Sequence, residues 1–151
     1  AVGASDPTNR AYLKCIRSLM EDHDLNDYVV WTGYVPPPHV SASFQSADIC
    51  VLPYRDGVSF RRGSLLAALT HGMPVVSTHP RLELPALKHG ENIWLVPPED
   101  PQALAKAVAH LADDVERMKR LRGGARELAQ RFDWERIAAR TLEVYRRVLG
   151  S

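Results

Sequence analysis

No apolar run in the 151-residue chain approaches the ~20 residues needed to span a bilayer, which excludes a membrane-spanning helix. Nor does one sign of charge dominate. The formal net charge is +1, whereas a dedicated nucleic-acid binder carries a strongly basic face, so no nucleic-acid partner is expected. Cysteine is scarce, with two in the chain. Cys15 falls in a helical pattern and Cys50 in an apolar strand pattern, so two buried thiols are expected rather than a disulfide or a metal site. The first residues, Ala1 to Pro7, lack both a basic start and an apolar stretch; no signal peptide is read, and the cytoplasm is the expected location. His23, His39, His89 and His110 show no metal-ligand spacing, and no metal site is assigned.

What is present is the composition of an ordinary soluble domain, 45% hydrophobic and 25% charged, at a length that suits one domain. Charge is uneven locally. From Val115 to Arg147 there are ten Lys or Arg against five Asp or Glu. That stretch suits a solvated helix face first and peripheral contact with an anionic membrane surface second.

The patterns alternate. Val2-Gly3-Ala4 has the character of a strand end, and Asp6-Pro7 places a capping side chain before a helix carrying Tyr12, Leu13, Ile16, Leu19 and Met20. Tyr28 to Thr32 is β-branched and aromatic, a strand closed by Gly33. After Pro36-Pro37-Pro38 comes a short helix with Val40 and Phe44, then Ile49 to Leu52, an apolar run suited to a strand buried on both faces. A helix with Leu65, Leu66, Ala68 and Leu69 ends at Gly72, and strands follow at Pro74–Ser77 and Ile93–Val96. Asp100-Pro101 repeats the cap-plus-proline helix start. Two more helices finish the chain, with Gly123-Gly124 weakening the first. Alternation of this kind predicts an α/β fold, a Rossmann-like doubly wound parallel sheet with C-terminal helices. Ligands in such sheets bind beyond the carboxyl ends of the strands, which directs attention to the loops after Gly33, Pro53 and Ser77.

The loop from Tyr54 to Ser64 turns at Arg55-Asp56-Gly57 and enters a helix through Ser59, Phe60, Arg61, Arg62, Gly63 and Ser64. Unpaired amides and the positive end of a helix attract phosphate, two arginines add forked donors, and Gly63 permits close backbone approach. Taken alone, the same residues also fit an exposed helix start with solvated arginines. His71, before a helix-ending glycine, suits a partner for the helix carboxyl end, and His79 and Glu83 follow a strand end.

The segment from Ser64 to Val76 resembles the Leu-Glu-Ala-x-Ala-x-Gly-x-Pro-Val-Val element of family 4 (group 1) glycosyltransferases. Trp31-Thr32-Gly33-Tyr34-Val35 is similar to that family's strand-Gly-x-Val element. Ala47-Asp48-Ile49 through Pro53 matches its Ala-Asp-strand-Pro element, and His89-Gly90-Glu91-Asn92 with Leu95-Val96-Pro97-Pro98 its later loop and strand. The matches keep their order. The resemblance implies that residues 1–151 are the C-terminal, nucleotide-sugar-binding domain of a GT-B enzyme. Such an enzyme transfers a sugar with retention from a UDP- or GDP-sugar, without a cofactor or essential metal. It also implies an N-terminal acceptor domain as partner, which is not in this sequence, and an earlier strand of this domain that precedes it. The implied donor-binding residues are Ser59, Phe60, Arg61, Arg62, Gly63 and Ser64, with Gly33, Tyr34 and Val35 toward the base; no catalytic residue is assigned. One departure matters. The family's paired glutamates fall at Ser59 and Ala67, and alanine accepts no hydroxyl hydrogen bond. A non-catalytic nucleotide-binding or interaction module is therefore the alternative, and a nucleotide-sugar epimerase a second one.

Overall fold

The computed structural model describes residues 10–150. The readings at Val2-Gly3-Ala4 and Asp6-Pro7 lie outside the described residues. The chain divides into two compact units, residues 1–43 and 44–151.

In the first unit, α1 (Arg10–Asp22) ends where Asp24 takes a positive φ of 53°, a conformation that Asp tolerates better than most residues. Leu13, Ile16 and Met20 are its better covered positions, spaced to form one stripe on a helix. Cys15 is exposed, contrary to the expectation of a buried thiol. At about 100° per residue it projects from the opposite side of the helix to that stripe. Tyr28–Thr32, read as a strand, is not a strand among the described residues. A strand needs a laddered neighbour, and the one that the sequence offers, Val2-Gly3-Ala4, lies outside them. Helix α2 (Pro37–Ser46) begins with proline at its first position, where the missing N–H costs nothing.

The second unit carries a three-stranded parallel sheet in the order β1 (Cys50–Leu52), β2 (Val75–Thr78), β3 (Trp94–Val96). Val51 is paired with Val76, and Ser77 with Leu95. Every residue of β2 is buried, because side chains alternate between two covered faces. On one face Val75 and Leu95 pack with Leu65 and Leu69 of α3 (Gly63–Thr70) and Ala125 and Leu128 of α5 (Val115–Ala129). On the other, Val76 and Val96 pack with Ala107 and Leu111 of α4 (Pro101–Ala112) and Leu121 of α5. β1 departs from the expected double burial. Val51 is 39% exposed, as suits a strand with one neighbour among the described residues. The Cys50 thiol beside it is half-buried, and burial pushes its pKa up to about 11.

Local chemistry fixes the helix ends. The Asp100 side chain accepts from the Ala103 N–H at 2.8 Å and Asp114 from Arg117 at 2.8 Å, each closing an orphan donor of a first turn. Helix α3 stops at His71, and Gly72 follows at φ +66°, the left-handed cap that glycine adopts without strain. α5 runs unbroken through Gly123-Gly124. Gly124 is there for packing: a Cβ on it would overlap the Glu91 carbonyl oxygen and Asn92. After a short 3₁₀ turn (Gln130–Phe132), α6 (Trp134–Leu149) closes the described chain with none of its residues buried.

Candidate functional site

At the carboxyl ends of the strands the backbone is stitched together by hydroxyls. Ser77 Oγ donates to the Leu52 carbonyl and Thr78 Oγ1 to the Tyr54 carbonyl, both at 2.6 Å, while the His79 N–H donates to Val96 at 2.9 Å. These bonds hold the loop leaving β1 against the end of β2. The loop turns where the Gly57 N–H donates to Tyr54 at 3.3 Å. Gly57 has φ +83°, and a Cβ there would lie 2.5 Å from the His79 carbonyl oxygen, so two loops meet with no room for a side chain. Val58 then enters the core at 1% exposure. Phe60 lies against Phe132 with ring centroids 4.7 Å apart, which anchors the loop from inside.

The start of α3 follows. Arg62 is the N-cap residue, with extended φ/ψ and no side-chain cap bond, so the amides of the first turn have no side-chain acceptor of the usual kind. The Ser59 carbonyl accepts from the Arg62 N–H at 3.1 Å. The Arg62 guanidinium is paired with the Asp56 carboxylate and lies 4.8 Å over the Tyr54 ring centroid. The Tyr54 and Ser64 hydroxyls are 2.6 Å apart. Arg61 is exposed. The space that a side chain would fill at Gly63 is open, with no heavy atom within 4 Å apart from its chain neighbours and its own helix backbone. The fold does not demand glycine there.

The candidates therefore separate by unit. Ser59 to Ser64 surround the start of α3 in the second; Gly33, Tyr34 and Val35 belong to the first. There Gly33 takes φ +61° with open space around it, Tyr34 is 82% exposed and Val35 half-buried. His71 Nδ1 lies 2.8 Å from the Ala67 carbonyl, the helix-end role expected of it, and its ring stacks on Phe44 at 5.0 Å. His79 and Glu83 are exposed.

Three features were not singled out from the sequence. Asp56 belongs to the Arg55-Asp56-Gly57 turn and Tyr54 opens the loop, and the available signal is an aromatic and an acidic residue in the same loop as an Arg-Arg pair. Arg55 pairs with Glu99 at 2.8 Å across a cavity of about 310 Å³ lined by Pro53, Thr78, Val96 and Leu104; a residue pair this far apart in sequence leaves no local pattern. The third is His89. Its Nδ1 lies 3.0 Å from the Leu95 N–H, serving β3 as an acceptor, and its ring packs against Trp94. Burial, with His79 and Arg117 nearby, holds its pKa below the ordinary value of 6.5. Among the described residues no group of three His, Cys, Asp or Glu side chains could hold a metal, and no helix is long and apolar enough to cross a membrane.

The chain is similar to known proteins over most of its length. Residues 1–114 match the family model described as "Glycosyl transferases group 1". Among curated relatives, the D-inositol 3-phosphate glycosyltransferase of Corynebacterium urealyticum is 32% identical over 133 residues, covering 88% of this chain and 31% of that protein. The phosphatidyl-myo-inositol mannosyltransferase of Mycobacterium leprae is 35% identical over 128 residues, covering 84% and 34%. The chain thus spans about a third of the length of these relatives. The solved sucrose-phosphate synthase of Thermosynechococcus elongatus superposes with a TM-score of 0.81 at 28% identity, over 99% of this chain and 38% of that one. Anabaena HepE, solved with UDP, gives 0.83 at 23% identity, over 95% and 39%. An α/β chain with a parallel sheet, matched over most of its length by one family, belongs to the group 1 glycosyltransferases of GT-B architecture.

Proposed function

We propose that the chain is the donor-binding domain of a retaining glycosyltransferase that moves a sugar from a UDP- or GDP-sugar to an acceptor held by an N-terminal domain of the same protein. In that transfer the bond from the sugar's anomeric carbon to the phosphate oxygen breaks, and the electron pair leaves with the nucleoside diphosphate. A bond forms from the acceptor hydroxyl oxygen to the same carbon, and the hydroxyl proton is lost. Charge develops on the departing phosphate, and fixed donors aimed at it are the protein's main means of lowering the barrier.

The observation that carries the reading is the start of α3: a first turn without a side-chain cap, an exposed Arg61, Arg62 held at the N-cap, and empty space at Gly63. Backbone amides and two guanidinium groups there suit a diphosphate. Ser59, Gly63 and Ser64 are assigned to the same donor site, Ser59 through the carbonyl that accepts the Arg62 N–H, and Phe60 anchors the loop through Phe132. Gly33, Tyr34 and Val35 are assigned to the base by resemblance. A second reading, a nucleotide-binding module without catalysis, draws support from Ser59 and Ala67, which stand where the family places its glutamates.

Replacing both Arg61 and Arg62 by alanine in the full-length protein tests the donor site. A charge-assisted phosphate contact is worth about 1.5–3 kcal/mol, so donor affinity should fall roughly tenfold or more. The exposed Arg62–Asp56 pair contributes ~0–1 kcal/mol to folding, so the melting temperature should barely move. Donor affinity equal to wild type would refute the assignment.

A further inference from the structure

We propose that the Asp56 carboxylate receives hydroxyls of the sugar carried on the donor's outer phosphate, which makes Asp56 the residue that distinguishes a nucleotide-sugar from a bare nucleotide. The inference rests on the donor-site reading above and adds a residue and a specificity to it.

Four observations carry it. First, Asp56 is held in place: it sits inside the Tyr54–Gly57 turn, and Gly57 is wedged against the His79 carbonyl at a distance that admits no side chain. Second, its carboxylate is bonded to the Arg62 guanidinium, which is itself laid over the Tyr54 ring. The carboxylate therefore lies one hydrogen bond from a group assigned to the diphosphate. Third, the Asp56 side chain is 65% exposed. A carboxylate offers about four acceptor sites, and the contact with Arg62 leaves others open. Fourth, the neighbouring groups are poorer acceptors. Arginine has donors and no acceptor, and the Ser64 hydroxyl, bonded to that of Tyr54, is neutral and has fewer lone pairs left than a carboxylate.

Electrostatics sharpens the point. A carboxylate beside a phosphate site repels the ligand, so beyond ordering Arg62 an acid there does nothing for anion binding. A sugar does. In a nucleotide-sugar the atoms that follow the outer phosphate are those of a ring bearing hydroxyls, and each hydroxyl needs an acceptor once water is displaced. Arg62 offsets the repulsion while leaving carboxylate oxygens free for those hydroxyls.

The test is binding by the full-length protein to two pairs of probes, UDP against UDP-glucose and GDP against GDP-mannose. With whichever pair wild type binds, Asp56→Asn should weaken the nucleotide-sugar roughly tenfold or more while the bare nucleotide binds as well as before or better. Asp56→Glu should recover part of the preference. Equal weakening of both members of a pair would mean that Asp56 merely orders Arg62, and no weakening of either would mean that it touches nothing; both outcomes overturn the proposal. The Arg61→Ala, Arg62→Ala double variant separates this from the reading beneath it, since it should weaken nucleotide and nucleotide-sugar alike. If that variant binds both as wild type does, or if wild type binds no probe, the donor site itself is wrong and the Asp56 assignment falls with it.

Discussion

Gly57 and Gly63 stand six positions apart in one loop and are glycine for opposite reasons. At Gly57 the protein leaves no alternative: φ is +83° and the His79 carbonyl occupies the side-chain position. Alanine there should cost ~1–3 kcal/mol from backbone strain alone, with more from the clash, and a fall in melting temperature would show it. At Gly63 nothing beyond its chain neighbours and its own helix backbone lies within 4 Å, and alanine is the better helix former by up to about 1 kcal/mol. Gly63→Ala should therefore leave the melting temperature level or slightly raised, yet weaken nucleotide binding, because the new methyl group enters the space assigned to the diphosphate. Unchanged binding would remove Gly63 from the site. His89 carries a different prediction. A neutral ring nitrogen accepts the Leu95 N–H and a protonated one cannot. The folded pKa lies below 6.5, so the contribution is whole above that value. It is lost as pH falls through 6.5 toward the folded pKa, where the unfolded chain takes the proton first. His79 and Arg117 act with burial to hold that pKa down, and Glu91, Asp114, Glu116, Arg117 and Arg120 line the same hollow. His89→Gln keeps an acceptor that does not titrate, so urea midpoints measured from pH about 7.5 to about 5 should fall less for this variant than for wild type. At this scale the sequence disclosed the turn at Gly57 and the arginines at the helix start through residue type alone. It hid the pairing of Asp56 with Arg62, which depends on how one loop folds back on itself, and of Arg55 with Glu99, which depends on where loops from different strands come to rest.

Among the elements, α5 shows two glycines side by side with opposite roles. Gly123 faces open space, whereas Gly124 lies against the backbone of Glu91 and Asn92. Helix propensity alone would have alanine stabilise both sites by ~0.5–1 kcal/mol. At Gly124 the clash is with a carbonyl oxygen that cannot rotate away, and overpacking of that kind costs ~1–3 kcal/mol; the clash wins. Denaturant unfolding should find Gly123→Ala more stable and Gly124→Ala less stable than wild type. Helix α6 carries a stripe of Trp134, Ile137, Leu142, Tyr145 and Val148, all exposed. A helix with no fully buried residue adds little to the fold that precedes it, so a chain ending at Phe132 should melt within about 4 °C of the intact one. The start of α4 was legible because Asp100-Pro101 announces itself through a local hydrogen bond; the Asp114 cap of α5 belongs to the same chemistry but lacks the proline that marks it. The central strand was legible because Val75 and Val76 must be covered on both faces. The exposure of Val51 was not, since a strand's place in a sheet is set by pairing and the residues within it do not encode their neighbours. Nor was the role of Gly124 legible, because close approach between a helix and a distant loop leaves no periodic trace.

For the molecule as a whole, the decisive quantity is how much of the donor's surroundings this chain supplies. It covers 31% and 34% of two curated relatives. The groups assigned to the donor are wet: the side chains of Arg62 and Asp56 are 38% and 65% exposed, and Arg61 is exposed as well. A charge pair near 4 Å interacts by about 1 kcal/mol in water and about 4 kcal/mol at the effective dielectric of a protein surface, so an open site forfeits most of what these arginines could contribute to a leaving phosphate. Binding also carries a fixed entropic cost that one wall must offset alone. The 151-residue chain by itself should therefore bind nucleoside diphosphate weakly, with Kd on the order of millimolar, and should transfer no sugar to any acceptor, whereas the full-length protein should bind it more tightly and transfer sugar. Titration followed at Gly63 and Arg61 by NMR, beside an assay for sugar transfer, measures the two expectations separately. Turnover by the isolated chain would show that its own residues complete the site. Absence of any shift at several millimolar UDP or GDP, with the full-length protein binding normally, would move the diphosphate site off the start of α3.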